Sequence, residues 1–136
     1  MNGAESPTGS ALTDAERRFL AHPPRSLARI ATVDAEGMPH VVPGQWAYDA
    51  SSHELVLGGN DVPNTRRARH VWATGVASAV VDGQAPGPGW SPWALVVRGR
   101  ARVIDHEGVI RVSCDEILSW GLDEMVAESH AAATEM

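Results

Sequence analysis

The segment "NDVPNTRRARH", Asn60 to His70, holds the densest group of side chains able to do chemistry. Arg66, Arg67, Arg69 and His70 follow closely on Thr65, in a chain whose formal net charge is -6. Pro63, Asn64 and Thr65 read as a helix start, with Pro63 suited to the first turn. Such a start carries unsatisfied N–H groups and a partial positive charge. Thr65, Arg66 and Arg67 then bring a hydroxyl, two guanidiniums and free amides to one spot. The "GGND" turn beside them (Gly58 to Asp61) lets a ligand approach the backbone. Together these groups suit a phosphate or several carboxylates. The same residues also read as a solvated basic helix face paired with nearby Asp and Glu. Local sequence leaves both readings open.

Composition removes other chemistries. All 11 basic residues are arginine. A chain without lysine can form neither a Schiff base nor the GK[ST] of a phosphate-binding loop. The single cysteine, Cys114, excludes an internal disulfide, a CxxC redox pair and cysteine-rich zinc sites. The 6 histidines show no metal-ligand spacing, so no metal is expected. No Ser-His-Asp order is present, and Cys114 has no clear histidine partner. Net acidity argues against a nucleic-acid surface and suits a small anionic ligand better. No apolar run is long enough to span a membrane. The N-terminus lacks the basic-then-apolar pattern of a secretory signal, which predicts a cytoplasmic protein.

The elements that would carry these residues follow from periodicity and turn signals. At 136 residues the chain has the size of one domain. Residues 1–11 read as a flexible tail and 12–136 as a single domain. "TDAERRFLAH" carries a capping box, Thr13 with Glu16, and a short helix stopped at Pro23-Pro24. Ser26 to Val33, Met38 to Tyr48 and the "HELVLGG" segment read as strands of a meander. Pro43 and Gly44 are unusual within the second of these, where proline cannot donate and glycine allows close approach. The helix after Pro63 would bury Val71 and Trp72. "TGVASAVVD" is a fourth strand. "GQAPGPGWSP" is a Gly/Pro loop of a length usually kept for function. In "WALVVRGRARVID", Leu95, Val97, Gly99, Ala101 and Val103 fall on one face, and Val96, Arg98, Arg100 and Arg102 on the other. "VIRVSCDEILSW" supplies a last strand or a pair of short ones, and "GLDEMVAES" a short helix. The order predicts a mainly β fold, a closed or nearly closed antiparallel barrel of about six strands with short helices.

The succession "LARIATVDAEGMPHVVPGQWAYD", "LVLGGNDVPNTRRARHV", "ASAVVD", "VVRGRARVID" and "SWGLD" resembles the pyridoxamine 5'-phosphate oxidase-like split-barrel family. More narrowly it is similar to the actinobacterial branch of deazaflavin (coenzyme F-420)-dependent oxidoreductases, over roughly Leu12 to Asp123. The resemblance implies a homodimer of six-stranded split barrels with a flavin or deazaflavin at the subunit interface. It implies that Thr65, Arg66 and Arg67 hold the cofactor's anionic tail. It further implies that Val42, Pro43 and Gly44 run along the ring system, with Gly59 and Asn60 near it. Trp90 or Trp93, and Trp120, would come from the partner subunit. Four departures stand out. Arginine replaces the usual lysine at the phosphate position, which keeps charge and changes geometry. Val42 stands where oxidases of pyridoxamine phosphate carry an arginine, which favours the deazaflavin branch. Gly44-Gln45 is more polar than the expected apolar pair, and the hairpin after Val103 is shorter than in many relatives.

The implied function is hydride transfer from reduced F-420 to an unsaturated or quinone-like small molecule, with a polycyclic natural product among the candidate acceptors. The alternatives are an FMN-dependent reductase or oxidase, and a non-catalytic split barrel carrying a cofactor, haem or pigment. The acceptor would stack under the Gly/Pro loop, where Trp90 and Trp93 are candidate pocket residues. His40, after Pro39, reads first as a hydrogen-bonded structural histidine and second as a candidate general acid or substrate contact. Tyr48 sits beside a turn and closes the barrel end. Arg98, Arg100 and Arg102 line the interface, reach a polyglutamate tail or form a solvated strand face.

Overall fold

The computed structural model describes residues 11–123. The expected tail lies outside these residues except for Ala11, and the expected helix after Trp120 lies outside them beyond Asp123. Helix α1 spans Asp14–Ala21, strands β1 to β3 span Ala28–Val33, Pro39–Asp49 and Glu54–Gly58, and helix α2 spans Arg66–Thr74. Strands β4 to β7 span Val76–Gln84, Pro92–Ile104, Val109–Ser113 and Glu116–Trp120. A short 3-10 turn, Val62–Asn64, precedes α2.

The capping box is formed: Thr13 Oγ1 accepts from Glu16 N at 3.1 Å, and Glu16 Oε1 accepts from Thr13 N at 2.9 Å. Two orphan donors at the α1 start are thereby satisfied. Glu16 also accepts from the Ser119 hydroxyl at 2.6 Å, which ties α1 to β7. Phe19 is fully buried and packs on Trp46 (6.3 Å between ring centroids) and Trp93 (5.6 Å).

Every strand pair is antiparallel. Six strands run in the order β4-β1-β2-β3-β6-β5, and pairing of β5 with β4 closes the barrel. Closure pairs the two outermost strands of the six with each other. The alternation read in β5 is present: Leu95, Val97 and Val103 are buried, while Arg98, Arg100 and Arg102 are exposed. Ile30, Leu55, Leu57, Ile110 and Val112 fill the interior with them.

β7 is the added seventh strand, and it exists because of a bulge. Ala101 faces Val112, while Arg98 faces Glu116. Between these pairs two residues of β5, Gly99 and Arg100, oppose three, Ser113 to Asp115, the mark of a bulge. Gly99 makes room for it, since a Cβ there would lie 2.0 Å from the Ser113 carbonyl oxygen. The Asp115 carboxylate locks it, accepting from Arg100 N (2.9 Å), Nε (3.0 Å) and Nη2 (2.8 Å).

Two expectations are corrected at α2. Pro63 lies in the 3-10 turn, and the helix begins after Thr65, which is its N-cap. The Thr65 hydroxyl satisfies a first-turn amide, so α2 needs no proline inside it. Val71 is buried as expected, but Trp72 is 63% exposed. Consecutive helix positions turn about 100° apart, so a short helix packed along one stripe buries one of them. The Gly/Pro loop is shorter than read: β4 runs through Gln84 and β5 starts at Pro92. Among the described residues no helix is long and apolar enough to cross a membrane.

Candidate functional site

Seven arginines have carboxylate partners: Arg17, Arg18, Arg29, Arg98, Arg100, Arg102 and Arg111. Arg98, Arg100 and Arg102 thus form a solvated, ion-paired strand face. Among the described residues Arg25, Arg66, Arg67 and Arg69 have none, and three of these four lie in the first turns of α2. Among the described residues no Asp or Glu is paired with this basic cluster.

Arg67 carries the sharpest signal. It is half-buried, with Nη2 donating to the Gly58 carbonyl at 3.4 Å. Its Nε is buried and has no hydrogen-bond partner, the one such side-chain atom found among the described residues. Burial lowers the Arg67 pKa, yet arginine stays charged. A buried donor without a partner is costly unless something else accepts from it. Gly59 keeps the approach to this guanidinium open: its φ is +146°, and a Cβ there would lie 2.8 Å from Arg67 Nη2. Asn60 and Arg66 are exposed beside it.

Thr65 is otherwise engaged. Its Oγ1 accepts from Ala68 N at 3.2 Å and donates to the Val62 carbonyl at 2.6 Å. It shapes the helix start and aims the arginines.

The open strand edge lies next to this cluster. β2 pairs with β1 over Pro39–Gly44 and with β3 over Gln45–Asp49. The ladder with β3 stops at Gln45 opposite Gly58, so the edge of His40–Gly44 facing away from β1 meets no strand. Val42 turns inward against the core, Pro43 is exposed and Gly44 is buried. An unpaired edge offers backbone donors and acceptors to a bound ring. The expected strip Val42–Pro43–Gly44 and the anion cluster thus meet at Gly58–Gly59.

His40 stands at the other end of this open edge, opposite Thr32 in the pairing with β1. Its ring meets that of His70 edge to face, with centroids 5.3 Å apart. Thr32 Oγ1 and His70 Nδ1 are 2.9 Å apart, which fixes the second ring. Burial, then His70, Arg66 and Arg67, hold the His40 pKa below its ordinary value. His70 was not singled out as a site residue from the sequence. Its signal was present, because it lies four residues after Arg66 and three after Arg67, the spacing of one helix face. Thr32 had no such signal.

The tryptophans divide differently from expectation. Trp93 is 7% exposed and belongs to the core against Phe19, so it lines no open pocket within this protomer. Trp90 is 87% exposed in the β4–β5 loop. Trp120 is half exposed on the outer face of β7. Tyr48 closes the barrel end, with its hydroxyl 2.7 Å from His53 Nδ1. Cys114 is fully buried and its pKa is pushed up to about 12, chiefly by burial, which leaves it inert as a nucleophile. A groove of about 590 Å³ lies beyond Gln45, along Pro23, Arg25, Leu27 and Trp46.

No protein-family model matches the chain. It is 28% identical, over 105 residues, to a 5a,11a-dehydrotetracycline/5a,11a-dehydrooxytetracycline reductase of Streptomyces rimosus, covering 70% of this chain and 74% of that protein. Among solved structures it resembles a FAD-binding protein from Mesorhizobium loti, with a TM-score of 0.60 and 18% identity over 79% of this chain and 93% of the other. It also resembles an F420 reductase, with a TM-score of 0.58 and 16% identity over 79% of this chain and 98% of the other. The barrel order and these likenesses show the fold: the chain is a split β-barrel of the architecture shared by the FAD-binding protein and the F420 reductase that it resembles.

Proposed function

We propose that the chain is an oxidoreductase that binds coenzyme F-420 and delivers hydride to an unsaturated or quinone-like small molecule. The observation that carries this reading is the uncompensated arginine cluster at the start of α2, with the buried, unpartnered Nε of Arg67 at the end of an open strand edge. The residues fit a planar ring with an anionic tail. Arg66 and Arg67 anchor the tail, and Thr65 holds the helix start that aims them. The free edge of His40–Gly44 takes the ring's polar rim, and Gly59 leaves the path between them open. Bound in reduced form, a deazaflavin supplies the hydride. The chain's own work is to orient the ring, exclude water from one of its faces and present the acceptor. The groove along Pro23–Leu27, Gln45 and Trp46 adjoins the open edge and is the place we assign to the acceptor. The named activity of the Streptomyces relative supports a reductase with a polycyclic acceptor.

The same reading includes a homodimer. The outer faces of β4, β5 and β7 carry Val80, Val96 and Leu118 in register. Around them Val76, Leu118 and Trp120 are about half exposed. An apolar sheet face of this kind is suited to a second copy. The FAD-binding neighbour supports FMN as the second reading of the cofactor.

A fluorescence titration of the purified protein with F-420 and with FMN tests the proposal. Micromolar or tighter binding of F-420, with weaker FMN binding, is expected. The Arg66→Ala/Arg67→Ala variant is expected to lose on the order of 2–5 kcal/mol of that affinity, because charged hydrogen bonds contribute about 1.5–3 kcal/mol each. Unchanged affinity in that variant would sink the anchor.

A further inference from the structure

We propose that His40 and His70 form the second wall of the anion site, and that a dianion seats there together with a proton carried by His40. The proposal rests on the reading of Arg66 and Arg67 as anion anchors and adds the charge class of the group they take.

Arg66, Arg67 and His70 share one face of α2. His70 is held by Thr32 Oγ1 at 2.9 Å, and Thr32 is itself 3% exposed, so the ring position is set by the barrel wall. His40 projects from β2, at the register position opposite Thr32, and its ring stands perpendicular to that of His70 at 89°. The groups acting on His40 come from α2: His70, Arg66 and Arg67. From β1 the neighbour is the neutral Thr32, and Asp34, at the end of that strand, interacts with His70. No carboxylate is among the groups acting on His40. Its cationic neighbours and its burial both favour the neutral ring.

An anion against Arg66 and Arg67 reverses that balance. It offsets the two guanidiniums and adds an attraction for a proton on His40. Linkage is reciprocal, so a proton on His40 raises anion affinity by the same factor that the anion raises proton affinity. Affinity therefore rises as pH falls through the histidine range. At higher pH Arg66 and Arg67 hold the ligand alone. The coupling grows with ligand charge, so a group that stays doubly charged across the histidine range gains more at acid pH than a singly charged one.

Sulfate is the probe, because its double charge does not change across the range where histidine titrates, about pH 5 to 8. Sulfate affinity is measured by calorimetry at constant ionic strength for the full chain and for Arg66→Ala/Arg67→Ala, His40→Gln and His70→Gln. Histidine ring signals of the unmodified protein are followed by NMR with and without sulfate, a readout that does not depend on a variant folding. The expected result is affinity rising about tenfold between high and low pH, the effect of about one pKa unit. The His40 midpoint moves up on sulfate addition, and the pH dependence is lost in His40→Gln. Sulfate binding that needs the arginines but ignores pH would overturn the proton coupling and leave the anchor standing. A pH dependence that survives in His40→Gln would overturn the assignment to His40. No sulfate binding, or binding undiminished in the double arginine variant, would overturn the anchor and the proposal with it.

Discussion

Arg67 and Gly99 show how much single residues decide in this protein. Arg67 keeps a buried donor without an acceptor, an arrangement that costs stability and that the proposed anion would relieve. Gly99 sits where Ser113 crosses β5, with no room for a methyl group. Gly99→Ala is expected to cost at least about 2 kcal/mol, because over-packing against backbone has no flexible neighbour to yield. A urea titration of the variant checks this, and a midpoint equal to wild type would show that the bulge yields more easily than its packing implies. Both residues act through shape at a backbone crossing.

At the scale of elements, β2, β3, β5 and β6 are tied on their outer faces by an ionic network. Arg111 contacts Asp49 at 3.0 Å, Glu54 at 3.1 Å and Glu107 at 3.1 Å, and Arg102 also reaches Glu54. Hydrogen bonds from Ser51 and Arg111 hold the Asp49 pKa down at about 2. Burial acts to raise the Glu54 pKa, but hydrogen bonds from Arg102, Ser52 and Arg111 outweigh it and leave it lowered. A carboxylate with a depressed folded-state pKa adds stability above its unfolded value and loses it as pH falls through the folded one. For Asp49 the loss runs from about pH 4, the ordinary range, down to about 2. Melting temperature measured over this interval is expected to fall, and Arg111→Gln is expected to flatten the fall. An acid limb unchanged in that variant would place the dependence elsewhere, for example at the Asp115–Arg100 lock.

For the whole molecule, the proposed assembly and the proposed cofactor site are expected to depend on one another. The barrel interior is filled by side chains, so a ring can bind only along its outside. A single chain offers the open β2 edge one wall, and in the proposed dimer a second copy would supply another. Leu118→Asp places a charge in the Val80–Val96–Leu118 row. It is expected to shift the protein from dimer to monomer in sedimentation and to weaken cofactor binding at least about tenfold, a change of about 1.4 kcal/mol. The far-UV spectrum is expected to be unchanged. A variant that is monomeric yet binds F-420 with full affinity would separate the site from the interface.

The sequence by itself determined the local features, because their causes span only a few residues. The capping box needs Thr13 and Glu16, the β1–β2 turn needs Asp34 and Gly37, and the β5 alternation follows from a period of two. The six-stranded count, the arginine cluster and the short α1 were legible for the same reason. Tertiary structure decided what depends on distant partners. Arg102 and Glu54 are 48 residues apart and Thr32 and His70 are 38 apart, so no spacing rule joins them. Which arginines are neutralised, which of Trp90 and Trp93 enters the core and where β6 bulges into β7 all follow from barrel closure. Closure sets which side chains meet, and an ion pair or a buried ring is a property of the meeting.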